Sequence, residues 1–358
     1  MASDVPTPAS IDRVWLTDQL RRAGHAGATV RDFTTKGIGT GQIGKCIRFE
    51  LVVDGDPTAP RSLVGKFPSD DELSRATGVG LRNYYREVSF YRLLASRLQI
   101  RTPRCYFAEI EGEGPAFALL LEDMQPSEQG DQLTGCSPEV ARAAVLELVG
   151  LQAPSWGDAT LKRFDWLHQP SVGATSDLMA AYAQFVPGFL DRYRAQLEPA
   201  QAAIIARVAQ SPRCPLYLPA TDLFCLEHVD YRLDNMLVDS RTSPPRVTVV
   251  DWQSVKVGKP LNDVAYFLGA GLVPETRRQV EHDIVGVYHD ALTTAGVRDL
   301  SWDRCWDEYR RGAFAGFGVT VIASMIVQQT ERGDRMFVTM ARRHSQHAID
   351  LGGEEFLE

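Results

Sequence analysis

The sequence predicts an α+β chain of two lobes. A small β-rich lobe covers residues 1–124 and a larger, mainly helical lobe covers residues 125–358. Three observations lead there. Alternating β-branched runs separated by turn residues crowd the first third of the chain. The polar stretch QPSEQGDQLTGCSP, which follows Met124, interrupts them. Helical periodicity then takes over, apart from one short β-rich stretch between Phe224 and Val255. A chain of 358 residues also suits two bodies better than one core.

Taken in order, Ile11 to Ala23 reads as an amphipathic helix with Trp15, Leu16 and Leu20 on one side. The run KGIGTGQIGKC comes next, and it fits three phosphate-binding descriptions. Gly39, Gly41 and Gly44 spell a dinucleotide fingerprint. Gly39 to Cys46 spells a Walker A loop, except that Cys46 stands where Ser or Thr should be. Gly37, Gly39, Gly41 and Gly44 also suit the turn of a glycine-rich β-hairpin lying over ATP. The first two descriptions need a helix to start at the glycines, because a helix N-terminus holds the phosphate. Here the strand-like CIRFELVV follows, then the turn DGDP, then the strand RSLVGKF. The hairpin is the reading that survives. Tyr84 to Leu98 predicts a helix with Val88, Tyr91, Leu94 and Leu98 on its apolar side, and CYFAEI and AFALLLEDM predict two strands around EGEG. Ser137 is placed to cap a helix that begins at Pro138.

Composition removes several function classes. A formal net charge of -8 without a basic run argues against a nucleic-acid partner. The six cysteines form no C-x-x-C, so they read as packing residues in a reducing compartment, and a cytoplasmic location is expected. His344 and His347 lack a third ligand and read as a polar helix face. The N-terminal stretch has no apolar core and does not read as a signal peptide. Gly312 to Thr330 is uncharged but carries Thr320, Ser324, Gln328 and Gln329, so it reads as a buried helix and not a membrane span.

The strongest chemical signal is LEHVDYRLDNMLVD. His228-x-Asp230, four residues and then Asn235 match the kinase catalytic loop. Its spacing fixes an Asp that meets the attacking hydroxyl and an Asn that holds magnesium in one frame. Asp251, sixteen residues after Asn235 and across a hairpin tipped by SRTSPP, stands where a second magnesium-binding carboxylate belongs. Lys66 is a lone lysine on an apolar strand, costly unless paired, and Glu87 on the next helix is its natural partner. In sequence order, the glycine loop, Lys66, Glu87, Asp230, Asn235 and Asp251 make an ATP- and Mg2+-dependent kinase site.

With these residues in view, the chain resembles the aminoglycoside phosphotransferase and choline kinase superfamily, small-molecule kinases of protein-kinase-like fold. The likeness covers about Thr34 to Gly269. YREVSFYRLLA, LLLEDM, VGLQAPSWGD, HVDYRLDNML, VVDWQ and NDVAYFL are most similar to its ecdysteroid-kinase-like branch. The resemblance implies phosphorylation of a hydroxyl on a small molecule, with adenine held by backbone groups of a hinge from Leu120 through Glu122 to Met124. It makes Asp263 a buried carboxylate bracing the catalytic loop. Val229 stands where the family carries Gly, a strained choice if that position needs positive φ. Gln152 stands where the family often has His, at a position that supports the lobe. An inactive nucleotide-binding relative would have lost Lys66, Asp230, Asn235 or Asp251, and a protein kinase would need a longer segment than WQSVKVGKPLND after Asp251. The expected acceptor is a largely apolar alcohol. An aminoglycoside is the alternative, because the tail GGEEFLE resembles an acidic arm that reaches such drugs. Tyr182, Phe185, Phe189 and Tyr193 form an aromatic stripe better explained by core packing than by a substrate wall.

Overall fold

The computed structural model describes residues 5–39, 43–167, 174–220 and 222–358. Gly41 of the expected glycine turn lies outside the described residues. The chain divides into two compact units. The first comprises residues 1–97, 102–125 and 251–254, and the second comprises 98–101, 126–250 and 255–358.

Among the described residues the first unit is an antiparallel sheet with three α-helices. Its strands are β1 (Thr29–Ile38), β2 (Gly44–Asp54), β3 (Ser62–Pro68), β4 (Cys105–Ile110) and β5 (Phe117–Glu122), in the order β1-β2-β3-β5-β4. Period-two alternation puts Phe49, Leu51 and Val53 of β2 on one face with Leu63, Phe67 and Leu120. Leu16 and Leu20 of α1 (Arg13–Arg22) cover that face. Asp12 caps α1 by accepting from the Trp15 N–H at 2.8 Å. Helices α2 (Glu72–Gly80) and α3 (Asn83–Leu93) join β3 to β4. Helix α3 stops short of the expected Leu98, because Leu94 leaves regular helical geometry and Ala95–Arg97 tighten into a 3-10 turn.

The second unit is mainly helical. Ser137 caps α4 (Pro138–Gln152) as expected, accepting from the Val140 N–H at 3.4 Å. Helices α5 (Ala174–Tyr193) and α6 (Pro199–Val208) follow. The short strand β6 (Glu128–Gln129) pairs with β8 (Met236–Asp239), which pairs with β9 (Arg246–Val249), while β7 (Cys225–Glu227) pairs with β10 (Lys256–Gly258). Then come α7 (Pro260–Gly271), α8 (Pro274–Thr294) and α9 (Trp302–Gly312).

Gly312 to Thr330 departs from the expected single buried helix. It forms α10 (Ala315–Gly318), a π-helical turn over Val319–Ala323 and α11 (Ser324–Ile326), and Val327 is extended. Thr320 donates to the Gly316 carbonyl at 2.7 Å and Ser324 to the Val321 carbonyl at 2.8 Å. Such back-bonding disturbs the regular ladder. Among the described residues no helix is long and apolar enough to cross a membrane.

The last helix, α12 (Glu331–Asp350), corrects the reading of its two histidines. Both are fully buried, so they are no polar face. His347 Nε2 lies 2.9 Å from the Tyr309 hydroxyl and 3.3 Å from a Glu281 carboxylate oxygen. Burial pushes the His344 pKa down to about 3. All six cysteines are free, and burial pushes the Cys46 thiol up to about 11 and Cys105, Cys136, Cys214 and Cys305 to about 12. None has the depressed pKa that a reactive thiol requires.

Candidate active site

In the first unit the glycine run is a β-hairpin. Strands β1 and β2 pair antiparallel up to Ile38 with Cys46. Gly39 has φ +77°, a left-handed value that glycine adopts without strain. Strand β2 begins at Gly44 and among the described residues no helix starts at the run, as the Walker A and dinucleotide geometries would require. Lys45 points away to Asp70, with its ammonium 2.6 Å from the carboxylate. Gly44 has a different task. A side chain on it would press on the Phe67 carbonyl at 3.1 Å, with Lys66 Cε at contact distance, 3.4 Å.

Lys66 sits on β3, in register with Cys46 on one side and Leu119 on the other. Its Nζ lies 2.6 Å from Glu87 Oε2 and 2.7 Å from Asp251 Oδ1. The Glu87 side chain is 2% exposed and that of Lys66 is 14%. Burial alone would discharge the lysine, but the Asp251 and Glu87 carboxylates push its pKa well above the usual value. The ammonium is therefore a fixed cation.

Asp251 is non-glycine and has φ +68°. The packing of Trp252 imposes this turn. Its ring stacks on Phe90 with centroids 3.9 Å apart, and its indole N–H donates to Thr102 Oγ1 at 3.0 Å. Asn83 donates to the Gln253 carbonyl at 3.1 Å. Residues 251–254 are thus clamped to α3, the helix that carries Glu87. This accounts for Trp-Gln after the aspartate.

Leu120 does not suit a hinge, because it lies inside β5 in register with both β3 and β4 and its side chain is in the core. Glu122 ends β5, and its N–H donates to the Arg104 carbonyl at 2.8 Å. Asp123 and Met124 alone of the five residues lie beyond the sheet. Arg48 grips Asp123 through two hydrogen bonds of 2.7 and 3.2 Å.

In the second unit the loop after β7 is held by its backbone. Both carboxylate oxygens of Asp263, in the first turn of α7, accept main-chain N–H groups, from His228 at 2.7 Å and from Val229 at 2.9 Å. Turning two successive N–H groups onto one carboxylate places Val229 at φ +77°. A β-branched residue is strained there. Val229→Gly should therefore raise the thermal unfolding midpoint, since relief of about 1–2 kcal/mol per left-handed residue exceeds the extra chain entropy of glycine, about 0.5–1 kcal/mol. A lowered midpoint would show that the valine side chain, not the backbone, governs this position.

Three side chains hold Asp230. Arg232 Nε lies 2.9 and 3.0 Å from its two oxygens, the Tyr266 hydroxyl donates to Oδ1 at 2.9 Å, and the Asn235 amide donates to Oδ2 at 2.9 Å. Burial would raise the Asp230 pKa, but Arg232 and the hydrogen bonds outweigh it and hold the carboxyl below its ordinary range. Sequence reasoning missed Arg232 and Tyr266. The signals were present, with Arg232 two residues after Asp230 and Tyr266 at i+3 from Asp263. Gln152 behaves as expected of a supporting residue, donating to the Pro260 carbonyl at 2.7 Å and accepting from the Tyr288 hydroxyl.

A hairpin over a paired lysine and an H-x-D-x-x-x-x-N loop mark a kinase-like phosphotransferase. The chain belongs to the phosphotransferase enzyme family, whose model matches residues 58–300. It is a small-molecule kinase in which the residues above are the candidates for chemistry. No curated relative matches it. Among solved structures, the choline kinase of Cryptosporidium parvum Iowa II is similar at TM-score 0.54 and 9% identity, over 90% of this chain and 91% of that one. The ethanolamine kinase of Plasmodium vivax gives 0.53 and 11%, over 87% and 81%. The GDP and kanamycin complex of APH(2")-IIIa gives 0.51 and 13%, over 86% and 91%. At these identities the likeness is one of fold.

Proposed function

We propose that the protein transfers the γ-phosphoryl group of ATP, with magnesium, to a hydroxyl of a small molecule that is not a polycation. The observation that carries this reading is the part-buried Lys66 ammonium held by both Glu87 and Asp251, a fixed charge suited to nucleotide phosphates. In the reaction the acceptor oxygen bonds to the γ-phosphorus, the bond to the β-phosphate oxygen breaks, and ADP leaves. Asp230 orients the acceptor hydroxyl and takes its proton. The backbone of the hairpin at Gly37, Gly39 and Gly44 covers the phosphates, and residues around Glu122 and Met124 receive the adenine. Asn235 and Asp251 are the magnesium ligands in this reading. Both offer hard oxygen donors, and the Asn235 amide oxygen carries no hydrogen bond among the described residues. Magnesium, when bound, offsets the charge on the transferred group.

The preference against polycations rests on carboxylates already committed. The tail does not extend freely. Glu354 pairs with Arg207 at 3.0 Å and Glu355 with Arg310 at 2.8 Å. Phe356 lies under Arg311, and the Glu358 carbonyl accepts from Arg213 at 2.7 Å. These pairs favour a tail held against the unit over an arm that reaches a drug. The aromatic stripe lends no support to an apolar acceptor, because Tyr182, Phe189 and Tyr193 are core residues against Phe314 and Phe317. A largely apolar alcohol, as in the ecdysteroid-kinase-like branch, is our expected acceptor, because Glu354 and Glu355 are already paired with arginines.

The test is ADP formation from Mg·ATP across a panel of neutral, anionic and aminoglycoside alcohols. We expect transfer to one of the first two classes, unchanged when residues 354–358 are deleted. Efficient aminoglycoside phosphorylation that is lost on this deletion would overturn the preference.

A further inference from the structure

The side chains around Asp230 continue outward as one ionic network. Arg232 Nη1 lies 2.7 Å from Asp234 Oδ2. Arg332 Nη2 lies 3.3 Å from Asp234 Oδ1 and 3.2 Å from Asp131 Oδ1. Arg332 and Asp131, together with Leu133, Glu331 and Arg335, line a hollow of about 410 Å³. Its wall is thus two arginines away from the Asp230 carboxylate, within one unit of the fold.

The open hydrogen-bonding capacity of this hollow is mainly that of a donor. Asp131 is already served by the Leu133 N–H at 3.1 Å, the Thr134 hydroxyl at 2.7 Å and Arg332. Asp234 takes Arg232, Arg332 and the Gln132 N–H at 3.0 Å. Arg335 is exposed and has no acceptor among the described residues, nor does Nη2 of Arg232. Glu331, the one free carboxylate on the wall, is exposed at the rim. Guanidinium groups with unfilled edges suit carboxylate and phosphate oxygens, which they take in a planar fork.

We infer that the acceptor carries an anionic group, a carboxylate or a phosphate ester, which Arg335 holds while the acceptor hydroxyl meets Asp230. The inference rests on the reading of Asp230 given above. It narrows the acceptor to a hydroxylated anion.

Two measurements test it. The first compares kcat/KM for matched pairs that differ only in the anion: 6-hydroxyhexanoate against its methyl ester, and glycerol 3-phosphate against glycerol. The anionic member of at least one pair should be preferred by at least about tenfold, chiefly through KM, as the loss of a hydrogen bond to a charged group would give. Arg335→Glu, a change at an exposed position, should abolish that preference. The second needs no turnover. Hexanoate or hexyl phosphate, but not hexanol, should raise the thermal midpoint of the wild type and fail to raise that of Arg335→Glu. Equal use of both members of each pair, or an anion effect unaltered in Arg335→Glu, would overturn the inference and leave the kinase reading intact. Anion binding that depends on Arg335, without transfer to any alcohol, would uphold the site and sink the kinase reading.

Discussion

Asp230→Ala should reduce phosphoryl transfer by about 10²–10⁴-fold, the usual contribution of a positioned general base. Mg·ATP affinity should change little, because Asp230 acts on the acceptor. Asp251→Ala should show the opposite pattern, a sharp loss of Mg·ATP binding. The Asp230 carboxyl is held below its ordinary range by Arg232 and Tyr266, so it is ionised throughout the neutral range. A carboxylate of that kind is a weak base, so orienting the hydroxyl is part of its work. Asp230→Asn keeps the shape and one acceptor oxygen, and should retain more activity than the alanine variant if orientation dominates. Single-turnover rates with the preferred acceptor read both numbers. Wild-type turnover in Asp230→Ala would mean that the loop has been misassigned.

What could be read from the sequence depended on whether a residue's cost was local. Lys66 could be read because a charge on an apolar strand demands a partner, and Glu87 lay on the helix predicted from Tyr84. The loop from His228 to Asn235 could be read because its chemistry fixes a spacing along the chain. Val229 was flagged by its own backbone preference, and its φ of +77° gives that flag its cause. Long-range contacts stayed hidden. Arg232 looked like one more polar loop residue; its grip on Asp230 and Asp234 is local, but its contact with Met336 Sδ exists only after α12 packs. The burial of His344 and His347 follows from the bare backbone of Gly269 and Gly316 facing them, which no periodicity reports. Leu120 looked like hinge because its motif resembles one, but pairing with strands on both sides takes up its backbone. The arginine partners of the acidic tail stayed hidden too, because they lie far away in sequence.

Lys66→Ala should have the largest effect on both binding and stability, and the two effects can be separated. Nucleotide affinity should fall sharply, whereas Lys45→Ala should leave it nearly unchanged, because Lys45 is tied to Asp70 at the surface. The reverse ranking in a nucleotide titration would restore the Walker A geometry. Stability should also suffer. Removing the ammonium leaves Glu87, at 2% side-chain exposure, and Asp251 as two like charges that had both converged on it. Breaking a buried pair from one side typically costs about 3–5 kcal/mol, mostly from the charge left behind. The double variant Lys66→Met with Glu87→Gln removes both members at similar volume, so no buried charge is left unpaired at Glu87. It should recover much of the lost thermal midpoint while nucleotide binding stays absent, because no cation remains to meet the phosphates. If the double variant recovered binding together with stability, Lys66 would be a structural ion pair only, and the phosphate-holding role would have to pass to another cation of the first unit.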